Sequence, residues 1–270
     1  MTYTVLTLFP EITDAYFSAS IMARAVERGM VSYRALNIRD FAPDRHRTCD
    51  DAPYGGGPGM LMLPGPLGRA LEAAGVARKG GEGPAGTGLS PVEQAGPSDT
   101  RPADTRRVIY LSPSGRPFNQ ALAGELISYG ELVLLCGRYE GIDQRIIDLY
   151  IDEEISVGDY VLSSGEAAAL VLIDATYRLV DQVIASESLE EETFSGGLLE
   201  YPQYTRPEMY ANLQVPEVLL SGHHEHIRRW RLRKRVEKTL ALRPDLISRG
   251  LATELFDAET RGIIQEMRES

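Results

Sequence analysis

LVLLCGRYEGIDQRIIDLYIDEEISVGDYVLSSGE, residues 132–166, decides how this chain is read. Residues 132–136 form an apolar run that ends at Gly137, and a charged turn with Arg138, Tyr139, Glu140 and Gly141 follows. A buried strand that stops where glycine lets backbone approach a ligand is how an open α/β sheet presents a site at its carboxyl edge. The pattern recurs: residues 154–157 lead into Gly158, Asp159 and Tyr160, and strand-like residues 161–163 lead into Ser164, Gly165 and Glu166. Any one of these glycines alone reads as an ordinary strand-end turn. Clustered beside Tyr139, Glu140 and Asp159, they read as the wall of a ligand pocket.

Working outward, residues 3–9 read as a first buried strand stopped by Pro10. Residues 11–28 follow as a helix capped by Gly29, and residues 31–38 as a second strand. Strand, helix, strand opens a βα pattern. Residues 39–62, RDFAPDRHRTCDDAPYGGGPGMLM, fit neither regular element. Gly55, Gly56, Gly57 and Gly59 are not a phosphate-binding P-loop, because no Gly-Lys-Ser/Thr follows, and they lack the strand-to-helix context of a dinucleotide fingerprint. Asp44, Arg45, His46, Arg47, Asp50 and Asp51 stand just ahead of them, so the stretch reads as a loop held around a substrate. A short helix is expected at 66–74. Residues 78–107 are rich in Gly, Pro and small polar residues and read as a flexible insertion. A strand at 108–111, a turn at 112–116 and a helix at 120–127 restore the α/β alternation. An apolar helix at 167–180 closes a first domain, 1–180. Residues 181–197, with Glu187, Glu190, Glu191 and Glu192, read as an interdomain linker, and 198–270 as a mainly helical domain.

A chain of 270 residues with 43% hydrophobic content can bury a sizeable core. No apolar run approaches the roughly 20 residues that span a bilayer, and no signal peptide is evident at the amino terminus, so a soluble, cytoplasmic protein without a membrane partner is expected. Cys49 and Cys136 fall short of a disulfide framework. The formal charge of -11 argues against non-specific coating of nucleic acid, yet HIRRWRLRKRVEK at 226–238 is a local basic helix within an acidic chain. His223, His224 and His226 lack cysteine or carboxylate partners at metal-ligand spacing, so no metal is assigned to them.

In family order, the pieces LFPE, DRHRTCDDAPYGGGPGM, VIYLSP, LCGRYEGID, ISVGDYVLSSGE, GLLEYPQYTRP and LLSGHHEHIRRWR resemble the bacterial tRNA guanine-N1 methyltransferases. The resemblance spans nearly the whole chain apart from the Gly/Pro-rich insertion. It implies an α/β domain with a deep trefoil knot, a small helical carboxyl-terminal domain, and a homodimer with active sites shared between subunits. It implies S-adenosyl-L-methionine as cofactor, with magnesium in methyl transfer, and tRNA as substrate, methylated at N1 of the guanosine at position 37, 3′ of the anticodon. The cofactor assignment falls on Tyr110, Leu111, Ser112 and Pro113, on Gly137, Tyr139, Glu140 and Gly141, and on Val157, Gly158, Tyr160, Leu162, Ser163 and Gly165. Arg178 matches the family's arginine that stabilises charge developing toward guanine O6. Glu192 stands where the family has its aspartate base, and is expected to take the N1 proton.

His46, Asp50, Asp51, Gly55, Gly56, Gly57 and Gly59 are assigned to positioning of guanine and tRNA. Arg228, Arg229, Arg231 and Arg233 are assigned to its phosphates, with Trp230 packing their helix. Ser164 replaces the first glycine of the family's Ser-Gly-Gly-Glu, which matters if that position needs a positive φ. Two rival readings stay open: a non-catalytic or weakly catalytic RNA-binding relative, and a paralogous methyltransferase with a changed acceptor.

Overall fold

The structure is a computed structural model that describes residues 1–80, 105–183 and 193–269. The chain divides into two compact units, Met1–Ile184 and Ala185–Ser270.

Five parallel strands organise the first unit. They are β1 (Thr2–Thr7), β2 (Ser32–Asn37), β5 (Arg106–Pro117), β6 (Glu131–Cys136) and β7 (Glu153–Ser156), in the order β2-β1-β6-β5-β7. Two-residue strands β3 (Asp50–Asp51) and β4 (Leu61–Met62) form a separate antiparallel pair. Purely parallel sheets are covered on both faces, so their strands are apolar on both sides. Strand β6 shows this plainly: Leu132, Leu134 and Cys136 enter one core with Tyr3, Val5, Ile109 and Leu111, while Val133 and Leu135 enter another with Leu6, Val108 and Tyr110. The first core is covered by α1 (Pro10–Phe17), α2 (Ser20–Glu27), α4 (Gln120–Leu126) and α6 (Gly165–Tyr177). The second is covered by α3 (Pro64–Ala73) and α5 (Gln144–Tyr150).

Several elements differ from the expectation. The helix at 11–28 is two helices, broken where Ser18 Oγ turns back to the Ala15 carbonyl and the backbone at Ser20 takes a φ of 54°. The break lets α2 aim Met22 and Ala25 at the core independently of α1. Helix α5 had no counterpart in the reading. Its signal is Asp143, an N-cap whose carboxylate accepts the Arg145 N–H at 2.9 Å. Residues 161–163 form no strand, and Val161 is 87% exposed. Of the insertion expected at 78–107, residues 81–104 lie outside the described residues, while Arg106 and Arg107 already belong to β5, opposite Glu131 and Leu132.

Strand β5 is longer than its apolar core because it meets β7 twice. Leu111 pairs with Ile155, the chain bulges outward, and Arg116 pairs with Ile155 again. A bulge re-aims a strand's end, here turning residues 112–115 toward the carboxyl edge of the sheet.

The second unit is built on α8 (His224–Leu242), α9 (Pro244–Ala252) and α10 (Ala258–Glu269), preceded by a short α7 (Glu217–Leu220). A hairpin of two-residue strands, β8 (Met209–Tyr210) with β9 (Leu213–Gln214), precedes α7 in the unit read as mainly helical. Leu198, Val236, Ile247, Phe256, Ile263 and Ile264 make its core. Buried Thr239 ties in the chain entering the unit, accepting the Leu199 N–H at 2.9 Å while donating to the Arg235 carbonyl at 2.6 Å.

Inside the β5 bulge, a Cβ on Gly115 would lie 2.4 Å from the Glu154 carbonyl carbon. Gly115→Ala is therefore expected to force β5 from β7 and cost about 1–3 kcal/mol, read as a lower urea midpoint at unchanged m-value.

Candidate functional site

Strands β6, β5 and β7 are neighbours, and a single cavity opens where their carboxyl ends meet. It is lined by all fourteen residues assigned above to the cofactor: Tyr110, Leu111, Ser112 and Pro113 from β5; Gly137, Tyr139, Glu140 and Gly141 after β6; and Val157, Gly158, Tyr160, Leu162, Ser163 and Gly165 after β7. Arg138 and Ser156 share the lining, although the sequence reading gave neither a role, and so does Ser164, singled out above for replacing a family glycine.

Two backbone crossings close the cavity. The N–H of Gly165 donates to the Gly137 carbonyl at 2.8 Å, and Arg138 bridges Ser164 beside it. A Cβ on Gly165 would sit 2.7 Å from the Gly137 nitrogen and 2.8 Å from the Cys136 Cα, so only glycine lets α6 start against the end of β6. Ser164 has a φ of -165°, extended backbone open to any residue, so its replacement of a family glycine costs nothing there. Two residues further on, Glu166 is buried. Its Oε1 accepts the Thr7 hydroxyl at 2.5 Å, and Thr7 Oγ1 in turn accepts the Phe9 N–H at 2.9 Å, which fixes the end of β1 beside the site.

The glycine-rich loop is sewn to the same place. Asp50 and Asp51 pair with Met62 and Leu61, closing the loop at its base. The Glu140 N–H donates to the Met60 carbonyl at 3.0 Å, and the Met62 N–H to the Gly141 carbonyl at 3.0 Å. Gly55, Gly56, Gly57 and Gly59 all have positive φ and are exposed. Gly59 lies against the Glu140 side chain, which brings the loop to the cavity wall. Asp50 faces the Tyr139 hydroxyl. Burial, with Asp50 adding to it, holds that phenol above its ordinary range. His46 is exposed and does not reach the cavity lining; its N–H donates to Asp44 within the loop.

Arg178 is half-buried at the carboxyl end of α6. Glu192 lies outside the described residues, as does most of the acidic segment around it.

The four arginines assigned to phosphates are not equivalent. Arg228 is paired with Glu225 at 2.7 Å and Glu259 at 2.9 Å, and Arg233 with Glu266 at 2.8 Å. Arg231 lies over the Tyr201 ring, and Arg229 is exposed. Trp230 packs near Tyr204, with ring centroids 6.4 Å apart.

The cavity suits a methionine-based nucleoside cofactor. Its lining alternates glycine and serine backbone, able to hydrogen-bond an adenine or ribose, with the apolar faces of Leu111, Ile155, Val157 and Ala168. The family described as tRNA (Guanine-1)-methyltransferase TrmD matches residues 1–249. The chain belongs to the tRNA (guanine-1)-methyltransferase family. Among relatives named tRNA (guanine-N(1)-)-methyltransferase, it is 56% identical to that of Treponema denticola over 266 residues, covering 98% of both chains. It is 52% identical to that of Treponema pallidum over 267 residues, covering 99% of this chain and 96% of the relative. The Borrelia duttonii protein is 51% identical over 248 residues, covering 91% and 92%.

Within this member of the tRNA (guanine-1)-methyltransferase family, Tyr110 stays a neutral phenol at working pH, because burial, with Glu154 adding to it, pushes its pKa up to about 12. A folded-state pKa above the ordinary 10.0 contributes stability that is complete below pH 10 and is lost as pH rises toward 12. The unfolding free energy of the parent minus that of Tyr110→Phe should therefore fall across that window. A difference independent of pH would show that Tyr110 does not titrate as its burial requires.

Proposed function

We propose that this protein transfers a methyl group from S-adenosyl-L-methionine to N1 of the guanosine at position 37 of tRNA, immediately 3′ of the anticodon. The observation that carries the reading is the convergence of three separate motifs on one cavity at the carboxyl ends of three adjacent strands. The first unit is then the cofactor domain, residues 181–197 a linker, and the second unit the tRNA-binding domain. The crossing of Gly165 over Gly137 supports the knotted course that the family resemblance implies.

Bound in the cavity, the cofactor supplies an electrophilic methyl on a sulfonium centre. The protein must align that methyl with guanine N1, exclude water, and remove the N1 proton as the bond forms. Backbone at 137–141 and 157–165 holds the donor, and Leu111, Val157 and Ala168 keep its surroundings apolar. Negative charge that builds on the guanine spreads to O6, where the guanidinium of Arg178 offers in-plane donors. Glu192 accepts the proton.

Magnesium is kept as a proposed participant in methyl transfer. Among the described residues no three His, Cys, Asp or Glu side chains converge on a cage.

We propose a homodimer as well. Ile12 on α1, Ile21 and Val26 on α2, and Val171 on α6 are exposed apolar side chains of the kind a second copy covers. No helix among the described residues is long and apolar enough to cross a membrane.

Single-turnover incubation with S-adenosylmethionine and unmodified tRNA, followed by nucleoside mass spectrometry, should yield N1-methylguanosine. In the same assay Gly165→Ala should abolish cofactor binding. Arg178→Met and Glu192→Ala should retain it and slow methylation by about 10²–10³-fold, and omitting magnesium should lower the rate. A product-free reaction with cofactor and tRNA both bound would favour the binding-only relative. Methylation confined to another acceptor would favour the paralogue. Sedimentation of Val171→Glu should show dissociation toward monomer, and an unaltered dimer would place the interface elsewhere.

A further inference from the structure

Arg39 and Arg138 share one aromatic ring. Their guanidinium carbons lie 5.9 and 4.7 Å from the centroid of Phe9. The ring itself is held, since the Phe9 N–H is bound to Thr7, and Thr7 to buried Glu166. Arg39 comes from the turn at Ile38–Phe41 after β2, and Arg138 from the turn after β6, so two loops bring like charges to one apolar ring beside the cavity.

Gathering two cations is unfavourable unless an anion joins them. The carboxylates of the neighbouring loop are engaged elsewhere. Asp40 pairs with Arg47 at 3.0 Å, Asp44 accepts from the His46 and Thr48 N–H groups and the Thr48 hydroxyl, and Asp50 faces Tyr139. Among the described residues no carboxylate lies within ion-pair distance of Arg39 or Arg138. Arg39 also reaches the Tyr139 hydroxyl; stacking on an aromatic ring uses the face of a guanidinium, and the N–H groups that remain on the two arginines offer in-plane hydrogen bonds, the geometry that a phosphate matches.

We infer that Arg39 and Arg138, stacked on Phe9, form a subsite at the rim of the cavity for a backbone phosphate of the RNA strand that delivers the target guanosine. The inference rests on the reading of the cavity as the methyl-donor site, and adds the path of the RNA backbone past it. A cofactor carboxylate shares the chemistry, but only Arg138 belongs to the cavity lining, whereas Arg39 and Phe9 lie outside it. An anion spanning both arginines therefore comes from outside the cavity, as a polynucleotide backbone does.

Methionine keeps an apolar stem on Phe9 while removing the charge, so Arg39→Met and Arg138→Met, singly and together in the full-length chain, make the test. Binding of unmodified tRNA would be measured over a range of salt concentrations, binding of S-adenosylhomocysteine by calorimetry, and folding by thermal melting. Each substitution is expected to weaken tRNA binding about tenfold and to lower the slope of log affinity against log salt by about one, with cofactor affinity unchanged in Arg39→Met, whose side chain lies outside the cavity lining. Unchanged tRNA affinity and salt slope in a folded variant would overturn the subsite. So would weaker cofactor binding at unchanged tRNA affinity, which would give the anion to the cofactor. If Arg138→Met fails to fold, Arg39→Met alone decides. Gly165→Ala, measured for cofactor binding in the same series, tests the cavity reading separately, because its outcome does not depend on either arginine.

Discussion

Everything at the site depends on how closely two pieces of backbone approach each other where α6 begins. Gly165 donates to the carbonyl of Gly137 across a gap that no side chain could enter. That contact holds the turn after β7 against the turn after β6, and Glu166 on the next residue anchors the end of β1 from below. Three loops that belong to different strands are thereby locked into one wall. A site held by crossings of main chain is pre-organised, because few side-chain rotamers need to be frozen when a ligand arrives.

Arginines in this chain meet two kinds of neighbour. Arg39 and Arg138 stack on an aromatic ring, without an ion pair to either among the described residues. Arg228 and Arg233 on the basic helix are instead bound to carboxylates of α8 and α10. Exposed pairs of this kind contribute little to stability, but they hold long side chains in place. The basic helix is therefore less basic in effect than its sequence suggests, and a count of arginines overstates what it offers to an anion.

Much of the fold was legible because parallel strands buried on both faces read as unbroken apolar runs. Residues 132–136 and 3–9 announced themselves in this way, and glycine turns marked where the strands ended. The strand order was not legible: nothing local in β1 says that it lies between β2 and β6. Helix α5 was passed over because it is only seven residues long and sits between two more conspicuous strands. The pair of helices at 10–27 read as one because their apolar period continues across a break made by Ser18 and Ser20. At the site, the residues assigned to the cofactor through motif resemblance line one cavity, and Arg138, inside the same motif as Gly137 and Tyr139, was still left without a role. Its meaning lies in Phe9, 129 positions earlier in the chain, a separation that no reading of local pattern bridges. Ser164 looked like a liability, and its extended backbone shows that a family glycine need not mark a conformational demand.

The strand order also bears on how the chain is made. Strand β1 can pair with β2 as soon as residue 37 has left the ribosome, but its other partner is β6, where Thr2 meets Glu131 and Leu6 meets Leu135. About 100 further residues must be synthesised first, which takes roughly 5–20 s at typical rates of translation. Throughout that interval the most apolar edge of the nascent sheet has no neighbour, and open edges of this kind invite pairing with other chains. A sheet whose first strand ends up in its interior therefore passes its most vulnerable moments before the site exists.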